Sequence, residues 1–463
     1  MTADDWVDRP GFDCWAELPD DLRAEVLAAG TEGWKSVFHE IATYNETWKP
    51  LRPVLVRRDW LDRLYGLSDR MLQLVLECCL RRARTAGELR KLLGIPDGRV
   101  EFLDDDELLG EHLVTAGRPD VLLTGGVPKF VEFNIGSDVG SVWDSEQVSE
   151  RFLQLLHRHE LADRLAASAP PSAVDARYAA VGATLGLAER DRLTMLFRTD
   201  GEYPESHDPA RLVELLEPFA QRGRDFGYAM DVLPVDWLEL DADDRLIGRI
   251  PSADGTSEVR QVEAILRLFV CSQMPPTVGL QAIKDALRAG TASLFTSAAS
   301  WLLSNKVVFA WLWEDADRLP AADAELIRTH LPRTSLLTAS NRLMALADRK
   351  RLVLKPADEF GGEGVLVGRE QSPDDWAAAI DRGVADGSHL LQEYSRPDRL
   401  LMDFVHLESG RVEQAEIPFS IGPYSFGRRG AGCYVRIGSQ DEGEVLNLKR
   451  NVHVTGALVL DAG

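Results

Sequence analysis

An apolar strand that ends in a lysine and runs at once into a glycine-rich loop, VLKPADEFGGEG at residues 353–364, constrains this chain more than any other segment. A lysine closing such a strand sets a fixed positive charge at a sheet end, and the glycines that follow let backbone N–H groups approach anionic oxygens closely. Lys355, Gly361 and Gly362 are therefore candidate phosphate-holding residues, and Glu359 in the same loop is a candidate metal ligand. A glycine hairpin carrying a solvated lysine is the competing reading. The loop is not a Walker loop, because no G-K-[ST] follows, nor a kinase loop, because no V-A-I-K strand accompanies it.

Far upstream, KFVEFN at residues 129–134 alternates in the manner of a strand. Alternation predicts Glu132 and Asn134 on one face, with Val131 and Phe133 in the opposite layer. A carboxylate and an amide oxygen side by side suit Mg²⁺, a hard cation that takes a few protein oxygens and completes its shell with phosphates. An edge strand with a solvated polar face reads the same way. Lys306, at the start of the helix predicted in SNKVVFAWLWEDADRL, is a second cation that is uninformative alone. The backbone around Gln392, Glu393 and Tyr394 in HLLQEYSRP offers the polar edge a purine needs, with plain core packing as the alternative. Arg118, Arg267 and Arg436 each lie at a strand boundary or inside an apolar strand. A guanidinium there requires an anionic partner, either an internal carboxylate or a substrate.

Composition narrows the partners. With 463 residues the chain exceeds one ordinary core, and about three domains are expected. A net charge of -23 opposes binding to nucleic acid or an anionic membrane and favours small molecules. The N-terminal residues lack a basic segment followed by an apolar one, and no apolar run approaches the ~20 residues of a membrane span, so a cytoplasmic enzyme is expected. Five cysteines without zinc-like spacing read as reduced structural residues. No G-x-S-x-G or Cys/His nucleophile signature occurs.

Along the chain, residues 15–93 show helical periodicity, with a helix predicted to start at Asp69. A strand hairpin follows from 121 to 134, then a helix from Trp143. RLTMLFR, a helix capped by Asp208 and Pro209, and YAMDVLPV give a β-α-β order that predicts a parallel sheet. No G-x-G-x-x-G follows the first strand, which argues against a dinucleotide site. The last third reads as strands with a few helices, one of them capped by Ser372 and Pro373.

Taken in order, these segments resemble the circularly permuted ATP-grasp ligases, most closely the eukaryotic-type glutathione synthetase branch, with glutathionylspermidine synthetase more distant. The similarity runs discontinuously from about Gly117 to the C-terminus. It is carried by Arg118 and Asp120 ahead of Glu132 and Asn134, by Arg267, Lys306 and Lys355, by LLQEY, by GCYVRIGS with Arg436, and by VHVTGALVLD. The resemblance implies an α/β (α+β) ATP-grasp fold, circularly permuted, with a Rossmann-like parallel-sheet substrate domain and a helical N-terminal region. The divisions expected are 1–170, 171–300 and 301–463. It implies ATP held by Lys306, Lys355, Gly361, Gly362, Gln392, Glu393 and Tyr394, and Mg²⁺ on Glu132, Asn134 and Glu359. Arg118 and Arg436 would be the catalytic arginines, with Ser137 and Arg267 binding substrate. The implied reaction is ATP-dependent amide formation between amino-acid-like substrates through an acyl phosphate, as in a dipeptide or γ-glutamyl ligase. A peptide–polyamine ligase is the alternative enzyme, and a degenerate nucleotide-binding regulator or scaffold the alternative of another class. Small amino-acid or peptide partners and a homodimer are implied, without nucleic acid or membrane. One departure stands out: in the family the loop glutamate directly precedes the glycines, whereas Phe360 intervenes here.

Overall fold

The alternating stretch around Glu132 folds as two antiparallel strands, Ala116–Thr124 and Val127–Ile135. Gly125 and Gly126 join them with φ of 59° and 79°. A two-residue loop with left-handed backbone at both positions matches the strand twist, and glycine adopts it without a Cβ clash. This is a computed structural model, and it describes residues 2, 4–7, 11–38, 47–199, 208–251, 257–359, 362–438 and 452–461.

The hairpin is not a free-standing unit. Ala116–Thr124 pairs with Val412–Phe426, which also pairs with Arg399–His406 and Arg429–Ile437. Trp48–Pro50 and His453–Thr455 complete this seven-stranded antiparallel sheet. Val54–Arg57 runs parallel to Ala457–Leu460 in a small separate sheet. Strands from the first 170 residues and from the last third thus close on each other. The helix Arg58–Leu80 packs its apolar stripe, Trp60, Leu61, Leu64, Met71, Val75 and Cys78, into the main core. The start predicted at Asp69 falls inside this helix. Asp69 instead meets Arg428 at 3.2 Å, because the apolar stripe continues upstream of it and burial of that stripe outweighs a capping signal.

The β-α-β order gives a parallel sheet, as predicted. Its four strands lie in the order Ser293–Phe295, Ala264–Arg267, Arg192–Phe197, Ala229–Pro234, all parallel. The crossover helix Pro209–Asp225 begins as read, with the Asp208 carboxylate accepting from the N–H groups of Ala210 and Arg211. A separate three-stranded antiparallel sheet, Leu238–Leu240, Leu246–Pro251 and Ser257–Gln261, adds to the elements that the sequence pattern indicates.

A four-stranded antiparallel sheet carries the lysine strand. Its order is Thr334–Leu336, His389–Glu393, Leu352–Pro356, Leu366–Val367, all antiparallel. The helices Arg342–Ala347 and Pro373–Asp386 cover one face around Trp376, Ile380, Leu354 and Leu391. That leaves the other face toward the seven-stranded sheet. All five cysteines are buried and free, in line with the structural reading. Among the described residues no helix is long and apolar enough to cross a membrane.

Candidate functional site

The seven-stranded sheet and the sheet of the lysine strand enclose a cavity of about 120 Å³. One wall is a row across the smaller sheet: Thr334 opposite Gln392, Gln392 opposite Val353, and Val353 opposite Val367. Residues paired directly across strands share a face. Gln392, Val353 and Val367 all line the cavity, and Lys355, two residues beyond Val353 on the same face, lines it further along. Asp120, Leu122, Val131, Glu132, Ser420 and Arg436 come from the larger sheet, and Lys306 closes one end.

Val131 corrects the simple alternation. Asp120 pairs with Glu132 and Val121 with Phe130, so Val131 is the extra residue of a β-bulge. It lines the same cavity as Glu132 instead of joining Phe133, which is buried in the core. The bulge also takes the Val131 carbonyl out of the ladder, and that oxygen accepts from Lys355 Nζ at 3.1 Å. A backbone irregularity therefore aims one of the two lysines.

Lys306 sits at the entry to helix Val307–Asp315, anchored by its N–H to the Ala357 carbonyl at 2.9 Å. Its ammonium lies 2.9 Å from the Glu132 carboxylate and also donates to the Glu359 carbonyl. Burial pushes the Lys355 ammonium down to about 8, with Lys306 nearby adding to the effect and Glu132 and Asp120 opposing it. Asp120 is buried between two arginines. It accepts from Arg436, and Arg118 lies 3.6 Å away. Burial raises the Asp120 carboxyl, but the charges of Arg436, Arg118 and Lys306 overcome this and hold it below the usual carboxylate range. Arg118 also stacks 4.6 Å from the Tyr434 ring centre and donates to the Gly140 carbonyl at 3.1 Å. It crosses Gly422, where a Cβ would come within 2.9 Å of its side chain.

Arg118 does not itself line the cavity, and the other residues singled out in the sequence divide into three groups. Lys306, Lys355, Glu132, Arg436, Gly362, Gln392, Glu393 and Tyr394 line one cavity. Asn134 lies two residues from Glu132, its amide nitrogen donating to the Arg118 carbonyl at 3.1 Å and its oxygen left for another partner. Glu359 approaches through its backbone carbonyl, and Gly361 lies outside the described residues. Ser137 and Arg267 do not line the cavity. Ser137 is fully buried and its hydroxyl donates to the Arg267 carbonyl at 2.9 Å, so its one proton is not available to a substrate. The Arg267 guanidinium is 1% exposed and meets Asp138 at 2.9 Å. The backbone donors expected in the Gln392–Tyr394 segment are also engaged: Glu393 N–H donates to Arg333 O at 2.7 Å and Tyr394 N–H to Arg351 O at 2.8 Å. The Tyr394 hydroxyl is buried without a partner among the described residues.

The sequence marks Asp120 as part of a motif with Arg118 and not as a site residue. Counting back from the Gly125–Gly126 turn sets Asp120 opposite Val131, and only the bulge brings it opposite Glu132. Among the described residues no group of three or more His, Cys, Asp or Glu could hold a metal ion unaided. The oxygens at hand, the Glu132 carboxylate and the Asn134 amide, nonetheless fit Mg²⁺ of the kind that completes its shell from a nucleotide.

No family model matches the chain, and no curated protein matches it. Solved structures do. A glutathione synthetase-like effector from Globodera pallida, in its apo form, aligns over 96% of this chain and 97% of its own, with 15% identity and a TM-score of 0.52. A putative gamma-glutamylcysteine synthetase from Methylobacillus flagellatus aligns over 83% and 85%, with 13% identity and a TM-score of 0.38. D-alanyl-alanine synthetase A from Vibrio cholerae aligns over 59% and 88%, with 12% identity and a TM-score of 0.28. The likeness to the first is one of fold: the chain has a mixed helix-and-sheet, ATP-grasp-like architecture.

Proposed function

We propose that this chain is an ATP-dependent carboxylate–amine ligase of the circularly permuted ATP-grasp kind, forming an amide between amino-acid-like substrates. The observation that carries the reading is the pair Lys306 and Lys355, brought from separate elements to one cleft between two antiparallel sheets with the Glu132 carboxylate between them. A buried cation, Lys306, and a half-buried one, Lys355, facing an apolar slot lined by Val353, Val367 and Leu122 suit a flat base with a polyanionic tail. The order of the segments, with the Glu132 strand ahead of the lysine strand, supports the permuted form. The parallel sheet is taken as the Rossmann-like substrate domain.

In this reading the nucleobase lies against Val353 and Val367, and Lys306 and Lys355 hold the phosphates. Glu132 and Asn134, with Glu359, would hold Mg²⁺, which when bound neutralises phosphate charge. A substrate carboxylate oxygen attacks the γ-phosphorus, forming an acyl phosphate as ADP leaves. An amine nitrogen then attacks the acyl carbon, inorganic phosphate departs, and the nitrogen loses its proton. The protein supplies position and charge, and no protein nucleophile enters. Arg118 and Arg436, fixed side by side by Asp120, are the cations assigned to the developing acyl-phosphate charge. A dipeptide or γ-glutamyl ligase fits best, because clustered arginines favour carboxylate-bearing substrates.

The test is ADP release from MgATP in the presence of paired amino acids and amines, with products identified by mass spectrometry. Release under some pairing, with a product lighter than its two substrates by one water, supports the ligase. A chain that binds MgATP but releases no ADP under any pairing is a nucleotide-binding module. The lysine adds a pH signature. Because Lys355 loses its proton near pH 8, MgATP affinity should fall as pH rises through 8. In Lys355→Arg that fall should disappear, since arginine stays charged. An unchanged profile in Lys355→Arg would remove Lys355 from the phosphate site.

A further inference from the structure

One polar side chain of the cleft is oriented by its cross-strand neighbour. Gln392 is 3% exposed, faces the cavity beside Val353, and donates from Nε2 to the Thr334 hydroxyl at 3.1 Å. Thr334, 5% exposed, in turn donates to the Pro332 carbonyl at 2.8 Å. A carbonyl can only accept, and a hydroxyl has one proton. The Thr334 proton is therefore committed to Pro332, and toward Gln392 the hydroxyl can only accept. That fixes which end of the amide faces Thr334, a choice otherwise settled only by its neighbours. The nitrogen faces Thr334, which leaves the Gln392 oxygen as the amide atom turned away from it, toward the cavity that Gln392 lines.

From this relay we infer that Gln392 determines nucleobase specificity, by presenting a single fixed acceptor to the 6-position of a bound purine. The inference rests on the nucleotide reading of the cleft and deepens it. An adenine carries an amino donor at that position and pairs with the Gln392 oxygen. Hypoxanthine and guanine carry an oxygen there, which sets two acceptors face to face with nothing to share between them. The Glu393 and Tyr394 N–H groups are not donors to that oxygen, because they already serve Arg333 and Arg351. Lys355, two residues along the strand from Val353, then lies in the direction the phosphates must take.

Calorimetric binding of MgATP and MgITP tests this without turnover, because the two differ in the 6-substituent and the N1 proton and neither has a 2-amino group. The wild-type chain should bind MgATP tighter than MgITP by about tenfold or more. Thr334→Val removes the anchor while keeping the side-chain shape, so either amide orientation becomes available and the preference should fall to within about threefold. Gln392→Leu should do the same by removing the acceptor, and Gln392→Met, a closer match in length, serves if the leucine variant does not fold. Equal binding of the two nucleotides by the wild-type chain overturns the inference and leaves the nucleotide site standing. So does a wild-type preference retained in both Thr334→Val and a folded Gln392 variant. Binding of neither nucleotide overturns the nucleotide reading and this inference with it.

Discussion

Asp120→Asn is expected to cost about 3–5 kcal/mol of folding stability, read by urea unfolding at neutral pH. The substitution keeps the shape of the side chain and removes only its charge. Arg436 and Arg118, with side chains 11% and 12% exposed, would then lose the carboxylate that lies against both of them. An unpaired buried charge is costly because the protein interior cannot replace the water it lost, and two like charges add repulsion. Asp120→Asn combined with Arg436→Met should recover part of the loss, since the double change removes both ends of the pair. The effect has a pH signature whose sign follows from the direction of the shift. The folded chain holds the Asp120 carboxyl below its ordinary value of 3.8, so near that pH the unfolded chain binds more protons than the folded one. Its contribution is complete above the ordinary carboxylate range and is lost as pH falls below it. The gap between wild type and Asp120→Asn should therefore narrow in acid. A loss under about 1 kcal/mol at neutral pH would mean the two arginines have other partners.

Local patterns were readable in the sequence, and long-range closure was not. The Gly125–Gly126 turn, the caps at Asp208 and Ser372 and the strand ending in Lys355 depend on neighbours a few residues away, and each formed as read. Trp48–Pro50 and Val54–Arg57 were absorbed into a helical reading, because what makes them strands is pairing with Arg399–His406 and Ala457–Leu460 at the far end of the chain. The bulge at Val131 was invisible for a different reason. Phe130, Val131, Glu132 and Phe133 show the same hydrophobic pattern whether or not one residue drops out of the ladder, and that residue decides whether Asp120 meets Val131 or Glu132. Ser137 illustrates the converse. A hydroxyl in a loop beside a candidate metal strand reads as a donor to substrate, and only the folded chain shows that Arg267 takes its proton.

Glu132→Gln should give the largest loss of turnover, on the order of a thousandfold in ADP release. Two functions meet at this carboxylate. It is the charged oxygen donor assigned to the metal pair, and it is the counterion that Lys306 holds at 2.9 Å. Glutamine retains the length and a hydrogen-bonding oxygen, so Lys306 keeps that contact and the Glu359 carbonyl. Loss of the charge also removes an attraction that supports the Lys355 proton, so Lys355 should deprotonate below pH 8 in the variant. Turnover alone does not separate the two functions, but nucleotide binding with and without metal does. If Glu132 holds Mg²⁺, the wild-type carboxylate repels metal-free ATP and attracts the magnesium complex. Glu132→Gln should then bind MgATP more weakly than the wild type, yet bind ATP in EDTA more tightly, because two lysines face the phosphates with no competing carboxylate between them. If Glu132 serves only to neutralise Lys306, the substitution should strengthen binding with and without magnesium to the same extent. Calorimetry under the two conditions at pH 7, where Lys355 is still mostly charged in the wild type, distinguishes a metal ligand from a counterion.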